Sequence, residues 1–177
     1  QWGVTDAQIA LPLLAKLQSV LRKGDWQITV ALHAPRTDGP TRITALWPGF
    51  YEGPIYGLAI DLGSTTIAGH LCDLATGDVV AATGLMNPQI RFGEDLMSRV
   101  SYAMMNENGA AEMTREVRAA LDQLATAAAE EAGVDPALIL DATFVCNPVM
   151  HHLLLGLDPT ELGQAPFALT VSNAMDL

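Results

Sequence analysis

A short segment of small and hydroxyl-bearing residues carries the strongest chemical signal in the sequence, Ile60-Asp61-Leu62-Gly63-Ser64-Thr65-Thr66. Its pattern predicts an apolar strand that runs into a tight turn and out into a second strand. Gly63 lets the backbone approach a ligand closely, and Ser64, Thr65 and Thr66 add hydroxyls and backbone N–H groups as donors without bulk. Such a turn favours binding of a phosphate group.

Asp61 is predicted to lie at the end of the first strand, directly before this turn. A carboxylate in that position can orient a hydrated Mg²⁺, which prefers one or two carboxylates and keeps several of its waters. The alternative is a plain hairpin in which a buried Asp61 accepts hydrogen bonds from its own turn. The residue types alone leave both interpretations open, and no residue of the chain is singled out as catalytic.

Three predicted strands position the turn. They cover residues 58–61, 65–74 and 79–85, and because only short turns join them they must form an antiparallel meander. After the meander, apolar residues recur at helical spacing, which predicts helices, and a later continuous apolar run predicts a further strand. Downstream elements are predicted to be helices over 94–104, 111–132 and 148–155, a strand over 139–146, and a helix opened by residues 158–161.

The first fifty residues are predicted to form a separate small unit. A helix follows Pro12 and stops at Gly24, and strands over 26–33 and 42–47 complete the unit. Two prolines and two glycines within the seven residues 48–54 mark a linker, which runs from Pro48 to Pro54. We therefore expect an α/β chain with a small α+β domain over 1–50 and a second domain over 55–177, the three-stranded meander plus a further strand and helices.

Composition excludes several functional classes. Half of the 177 residues are hydrophobic, and 20 acidic against 9 basic residues give a net charge of −11. A protein that binds nucleic acid or an anionic membrane through its charge needs a basic surplus, so neither is an expected partner. No apolar run approaches the length of a membrane span.

Cysteine usage excludes another class. Cys72 and Cys146 are far apart and form no CxxC pair, so a zinc ribbon or a self-contained iron–sulfur site is not expected. Free thiols fit the reducing cytoplasm, which is the expected location. His70 and Cys72 share one face of a strand, and we expect that face to belong to the core rather than to a metal site.

A polar cluster follows the meander at Asn87, Gln89, Arg91, Glu94 and Asp95. We expect it to be exposed near Gln89 to Asp95. Its residues would line a nucleotide cleft or a docking surface, or simply begin a helix whose N-terminal dipole favours the acidic side chains. The sequence does not decide between these roles.

The meander with its Asp-x-Gly-Ser-Thr turn resembles the first half of the sugar kinase, heat-shock protein and actin superfamily of ATPases, whose lobes are ribonuclease-H-like. Three later segments narrow the resemblance, at residues 87–100, 147–156 and 163–167. They are Asn-Pro-Gln-Ile-Arg-Phe-Gly-Glu-Asp-Leu-Met-Ser-Arg-Val, Asn-Pro-Val-Met-His-His-Leu-Leu-Leu-Gly and Gly-Gln-Ala-Pro-Phe. Together they resemble the reductive activators of corrinoid proteins, of the RACo and RamA type.

This resemblance implies a function. Members of that family join a [2Fe–2S] ferredoxin domain, a linker domain and a two-lobed ATPase domain. They use ATP to return cob(II)alamin to cob(I)alamin in the corrinoid protein of a methyltransferase system. The resemblance assigns 1–50 to the linker and 55–177 to the first lobe. Five residues would hold the phosphates of Mg-ATP, with Asp61 also serving the metal: Asp61, Gly63, Ser64, Thr65 and Thr66.

Departures from the family pattern limit what this chain does by itself. The ferredoxin cysteines are absent, and the second phosphate loop would lie beyond Leu177, so a sequence starting at Gln1 is expected to be an excised, inactive piece. ATP and Mg²⁺ would need the missing lobe. The alternatives are half of a small-molecule kinase of the same superfamily and a non-catalytic docking or dimerisation module, and a homodimer is possible on any of these interpretations.

Overall fold

The structure is a computed structural model that describes residues 4, 6–35, 39–173 and 175. The chain divides into two compact units. The first holds the described residues up to Gly53 together with those from Asn173 onward, and the second is Pro54–Ser172.

The first unit is a three-stranded sheet with one helix. Its elements are β1 (Ala7–Ile9), α1 (Leu11–Lys23), β2 (Ile28–His33) and β3 (Thr41–Pro48). The central strand β3 pairs with β2 in antiparallel and with β1 in parallel orientation. Strand β2 starts two residues later than predicted, because Asp25 and Trp26 have φ angles of 49° and 65° in the left-handed region, outside any strand conformation.

The second unit is built on a four-stranded mixed sheet in the order β6-β5-β4-β7. Strands β4, β5 and β6 form the predicted antiparallel meander, and β7 pairs in parallel with β4. The predicted fold class is therefore confirmed. The elements of the second unit are β4 (Tyr56–Leu62), β5 (Thr66–Asp73), β6 (Val79–Met86), α2 (Leu96–Met105), α3 (Gly109–Ala132), β7 (Ile139–Cys146) and α4 (Pro148–Leu155).

The helix predicted to open at residues 158–161 is only a single 3-10 turn, Thr160–Gly163. The start follows the sequence signal, since Oδ1 of Asp158 accepts hydrogen bonds from the N–H and the hydroxyl of Thr160, at 2.9 and 2.6 Å. The turn does not lengthen because it already ends in Gly163 and Pro166 follows three residues later, and both residues disfavour a helix interior.

One face of the sheet packs against the long helix α3. Val117, Leu124 and Ala128 of α3 are almost fully buried, as their helical spacing predicts. The strand residues that contribute to this core alternate along β4 and β5, as period-2 burial requires. They are Leu58, Ile60, Leu62, Ile67 and Leu71.

The expectation that His70 lies on the core face of its strand is wrong. Ile67 and Leu71 point to α3, so residues of the opposite parity, including His70, lie on the exposed face. Across the strand pairing, His70 is opposite Ala59 and Ala68 is opposite Asp61. This second face therefore carries Asp61 among small residues. No group of three or more metal-ligating side chains occurs within the described residues.

The described helices include none with the length and apolarity needed to cross a bilayer. The thiols of Cys72 and Cys146 are free and partly buried. Burial, and to a smaller extent the charge of Asp61, raises the pKa of Cys146 above that of an ordinary thiol.

Val117→Ala tests the packing of α3 on the sheet. Val117 has no exposed surface, so losing two buried carbon atoms should lower the free energy of unfolding by about 1.5 kcal/mol after the better helix propensity of alanine is included. Denaturant unfolding of this chain measures the change. The control is Val79→Ala, a residue 56% exposed, which should shift stability by less than about 0.5 kcal/mol. Equal losses of unfolding free energy in the two variants would contradict the packing of Val117 in the core between α3 and the sheet.

Candidate phosphate-binding site

The candidate site is the hairpin turn between β4 and β5. It contains Gly63, Ser64 and Thr65, with Asp61 on the strand that enters it and Thr66 on the strand that leaves it. The structure thus brings together all five residues that the sequence selected. The hairpin is closed by a hydrogen bond of 3.1 Å from the N–H of Gly63 to the carbonyl of Thr66.

Gly63 is required by the close approach of the two strands rather than by a left-handed backbone. A Cβ atom added at this position would lie only 2.5 Å from the carbonyl oxygen of Thr66. That oxygen belongs to the backbone and accepts the hairpin hydrogen bond, so it cannot move without opening the turn. Any larger residue would therefore change the shape of the turn.

The turn offers several hydrogen-bond donors that the described residues leave unused. No hydrogen bond within that part of the chain engages the hydroxyls of Ser64, Thr65 or Thr66. The N–H groups of Ser64 and Thr65 likewise have no described acceptor. Thr65 and Thr66 are exposed, and Ser64 is half-buried. These donors suit an oxyanion such as phosphate.

Asp61 is exposed, and its carboxylate accepts no hydrogen bond from the described residues. The plain-hairpin interpretation required a buried Asp61 that satisfies its own turn, and the geometry does not fit it. An exposed carboxylate next to unused donors is a suitable outer ligand for a hydrated cation.

The inner side of the turn is held by two residues that are completely buried, Asn87 and Arg99. The Asn87 side-chain amide donates to the carbonyl of Gly63 at 2.9 Å, and the Asn87 backbone N–H donates to the carbonyl of Thr65 at 2.8 Å. The guanidinium of Arg99 donates to the carbonyl between them, that of Ser64. Three consecutive carbonyls of the turn are thus bound from one side.

Arg99 is connected to the rest of the lobe through its other donors. Its Nε donates to the carbonyl of Gly93 at 3.0 Å, and its Nη1 contacts Oε1 of Gln89 and the sulfur of Met150, both at 3.3 Å. The amide of Gln89 donates to the carbonyl of Met113 on α3 at 2.8 Å. Burial lowers the pKa of Arg99 from its ordinary value, and the charge of Asp95 partly opposes that shift.

The sequence analysis does not predict Arg99 as a residue of this site. A signal was present, because Leu96, Arg99, Val100 and Ala103 follow one another at helical spacing along α2, so Arg99 occupies the apolar face of that helix. A charged residue on such a face needs polar partners inside the protein.

The residues of the polar cluster from Asn87 to Asp95 lie in different environments, some buried and some exposed. The expectation that Gln89 is exposed is wrong, because the side chains of Asn87 and Gln89 turn inward to bind backbone groups. Arg91 is exposed and forms an ion pair of 2.8 Å with Glu116. Asp95 caps α2 by accepting from the N–H of Ser98 at 2.7 Å, so the helix starts at Leu96 rather than at residue 94.

Fold and turn together define the class of the second unit: an α/β lobe in which an antiparallel meander pairs with one parallel strand and a hydroxyl-rich turn joins the first two strands. The family is also defined. Residues 1–53 match the family model described as the RACo linker region, and residues 56–177 match the RACo middle region. The chain belongs to the RACo family, and the resemblance stated from the sequence is confirmed.

Two relatives illustrate the similarity. The corrinoid activation enzyme RamQ of Eubacterium limosum is 33% identical over 126 residues, which are 71% of this chain and 21% of RamQ. A solved structure, the reductive activator for corrinoid, iron-sulfur protein, matches with a TM-score of 0.79 and 29% identity over 93% of this chain and 26% of that chain. The chain thus spans about a quarter or less of the length of these relatives.

Proposed function

We propose that this chain is the linker and the first ATPase lobe of an ATP-dependent reductive activator, which returns cob(II)alamin to cob(I)alamin in the corrinoid protein of a methyltransferase system. The observation that carries the proposal is the family match over both units, 1–53 and 56–177. The names of both relatives, a corrinoid activation enzyme and an activator for a corrinoid protein, support it.

ATP and Mg²⁺ fit the residues of the turn. Among the described residues, the hydroxyls of Ser64, Thr65 and Thr66 have no hydrogen-bond partner, and the exposed carboxylate of Asp61 on the preceding strand has none either. In the proposed mechanism these donors would hold phosphate oxygens, and Asp61 would orient the waters of a bound Mg²⁺. ATP would supply the free energy that the uphill reduction needs. The second phosphate loop would come from outside these 177 residues, in the longer protein of which we propose that this chain is a part.

An iron–sulfur cluster does not fit the described residues. A [2Fe–2S] cluster needs four cysteine or histidine ligands that converge on it, whereas the two cysteines of the sequence, Cys72 and Cys146, lie on strands β5 and β7. No group of three or more metal-ligating side chains comes together within the described residues. We therefore assign electron transfer to a ferredoxin domain outside these 177 residues, and assign no redox step to this chain. The proposed location is the cytoplasm, where such thiols remain reduced.

The proposed domain limits are 1–50 for the linker and 55–177 for the first lobe. Residues 49–51 are tied to β2, since the hydroxyl of Thr29 donates to the carbonyl of Gly49 and accepts from the N–H of Tyr51. Glu52, Gly53 and Pro54, in contrast, are exposed.

Limited digestion of this chain tests that boundary. We expect subtilisin to cut first within residues 48–54, at the exposed Glu52–Gly53 bond, because proteases select exposed backbone with few hydrogen bonds. Mass spectrometry of the earliest fragments locates the cut. A first cut within 58–85, the paired strands of the meander, would contradict the boundary.

The function is tested with the longer protein and the cob(II)alamin form of its corrinoid partner. Chemically reduced activator should produce the cob(I)alamin absorption spectrum only when Mg-ATP is present, and a non-hydrolysable ATP analogue should not replace ATP. Phosphate transfer to a small acid or sugar, without corrinoid reduction, would favour the kinase alternative. Absence of nucleotide binding would favour the docking module.

A further inference from the structure

On its inner side, the turn between β4 and β5 accepts two side-chain hydrogen bonds, from Asn87 and Arg99, in addition to the backbone bond from Asn87 to Thr65 that continues the β5–β6 pairing. Consecutive carbonyls at Gly63, Ser64 and Thr65 accept hydrogen bonds from Asn87 and Arg99. We propose that Asn87 and Arg99 are positioning residues, which orient the N–H groups of this turn toward a phosphate and place a positive charge behind it. The inference rests on the proposed function, because it specifies how the same turn binds nucleotide.

The direction of the N–H groups follows from peptide geometry. In a trans peptide the carbonyl of one residue and the N–H of the next point in opposite directions. The carbonyls of Gly63 and Ser64 point inward to Asn87 and Arg99, so the N–H groups of Ser64 and Thr65 point to the opposite side. Those N–H groups have no described acceptor. Consecutive N–H groups that point the same way form an anion-binding concavity.

The charge of Arg99 is felt by Asp95, but Arg99 forms no ion pair with a described residue. Its side chain has no exposed surface, and no carboxylate of a described residue lies within 4 Å of it. Its contacts are carbonyl oxygens, the amide oxygen of Gln89 and the sulfur of Met150. A buried charge without an ion-pair partner lowers the stability of the fold, and replacing it with an apolar side chain would often make the protein more stable. An anion bound on the far side of the turn would gain from that charge.

The clamp formed by Asn87 and Arg99 is fixed to the core of the lobe. Gln89 joins Arg99 to the carbonyl of Met113 in α3, and Oδ1 of Asn87 accepts from the N–H of Gln89 at 2.9 Å. The turn is therefore held in one shape before any ligand arrives. Such preorganisation reduces the ordering cost of binding.

Arg99→Lys is the first test. Lysine keeps the positive charge but replaces a planar fork of donors with a single ammonium, so it cannot hold Gly93, Gln89 and Ser64 together. In the longer protein we expect Mg-ATP affinity, measured by calorimetry, to fall at least about tenfold. The matched control is Arg118→Lys, since Arg118 also donates to a backbone carbonyl, that of Leu154, but does not contact the turn. It should bind Mg-ATP like wild type.

Asn87→Asp is the second test, chosen because it preserves the helix cap. Aspartate can still accept from the N–H of Gln89, but it loses the donor to Gly63. The matched control is Asn147→Asp, because Asn147 also precedes a proline and accepts from the N–H of Met150 at 3.0 Å. We expect weaker Mg-ATP binding, about tenfold or more, for the variant at Asn87 only.

A nucleotide-free measurement on this chain separates positioning from general stability. In Asn87→Asp, the ¹⁵N order parameters of Ser64 and Thr65 should fall from about 0.85 toward about 0.6, whereas those in the core of α3 should not change. Unaltered order parameters together with unaltered Mg-ATP affinity would overturn the inference. Equal loss of affinity in both control variants would also overturn it.

The outcomes also distinguish this inference from the proposed function. If the wild-type longer protein binds no Mg-ATP, the proposed function fails, and the role of the clamp in phosphate binding fails with it. If wild type binds Mg-ATP and reduces its partner, but the folded variants at Asn87 and Arg99 do the same equally well, only the clamp is refuted. Should Arg99→Lys not fold, Asn87→Asp and its control decide the result.

Discussion

Asp61→Asn in the longer protein is expected to reduce ATP-dependent corrinoid reduction by about a hundredfold or more, because a metal-bound phosphate depends on several kcal/mol of charge stabilisation. The substitution is nearly isosteric and removes only the charge that would orient the waters of Mg²⁺. Asp61 is exposed and makes no hydrogen bond with the described residues, so the fold should not depend on it.

A matched control exists on the neighbouring strand. Asp141 of β7 is also exposed, but it pairs with Gly57 at the opposite end of β4 from the turn. Asp141→Asn should therefore retain wild-type activity and Mg-ATP affinity. The measurements are the rate of cob(I)alamin formation and the midpoint of thermal unfolding. An Asp61→Asn protein that unfolds more readily, and that binds Mg-ATP normally when it is folded, would show that Asp61 is structural.

The elements and the outer side of the site were predictable from the sequence because both depend on local pattern. Alternating apolar residues define β4 to β6, and the glycine and hydroxyl residues between Leu62 and Ile67 define the turn. The helical spacing of Val117 and Leu124 correctly predicted the face of α3 that packs on the sheet. In each case the residues that carry the signal are close together in the chain.

The inner side of the site was not predictable, because it depends on contacts between distant segments. Arg99 and Ser64 are separated by 35 positions in the chain, and Gln89 and Met113 by 24. Polar residues at such positions are usually exposed, so the sequence pattern alone places Gln89 at the surface. The error at His70 has a related cause: period-2 alternation gives two faces, and only the packing of α3 decides which one is buried.

Gly63→Ala is expected to have an effect as large as that of Asp61→Asn, but for a steric reason. The new Cβ would lie 2.5 Å from the carbonyl oxygen of Thr66, a separation that real Cβ atoms do not adopt. The strands must then separate at the turn, and the hydrogen bond from the N–H of Gly63 to that carbonyl is lost. The carbonyl of Gly63 would also leave Asn87, so the donors of Ser64 and Thr65 would no longer converge on one anion.

The expected result for Gly63→Ala is a loss of Mg-ATP affinity of about a hundredfold or more in the longer protein, since both the donors and their order are lost. Calorimetry measures the affinity, and denaturant unfolding should show a loss of about 1–3 kcal/mol from the strained turn. Gly84→Ala on β6 is the control, because its Cβ would make an ordinary contact of 3.4 Å with the carbonyl of Ile67. That variant should bind Mg-ATP normally. A Gly63→Ala protein with wild-type affinity would exclude this turn as the phosphate site, because no rearrangement that admits the methyl group preserves the present geometry.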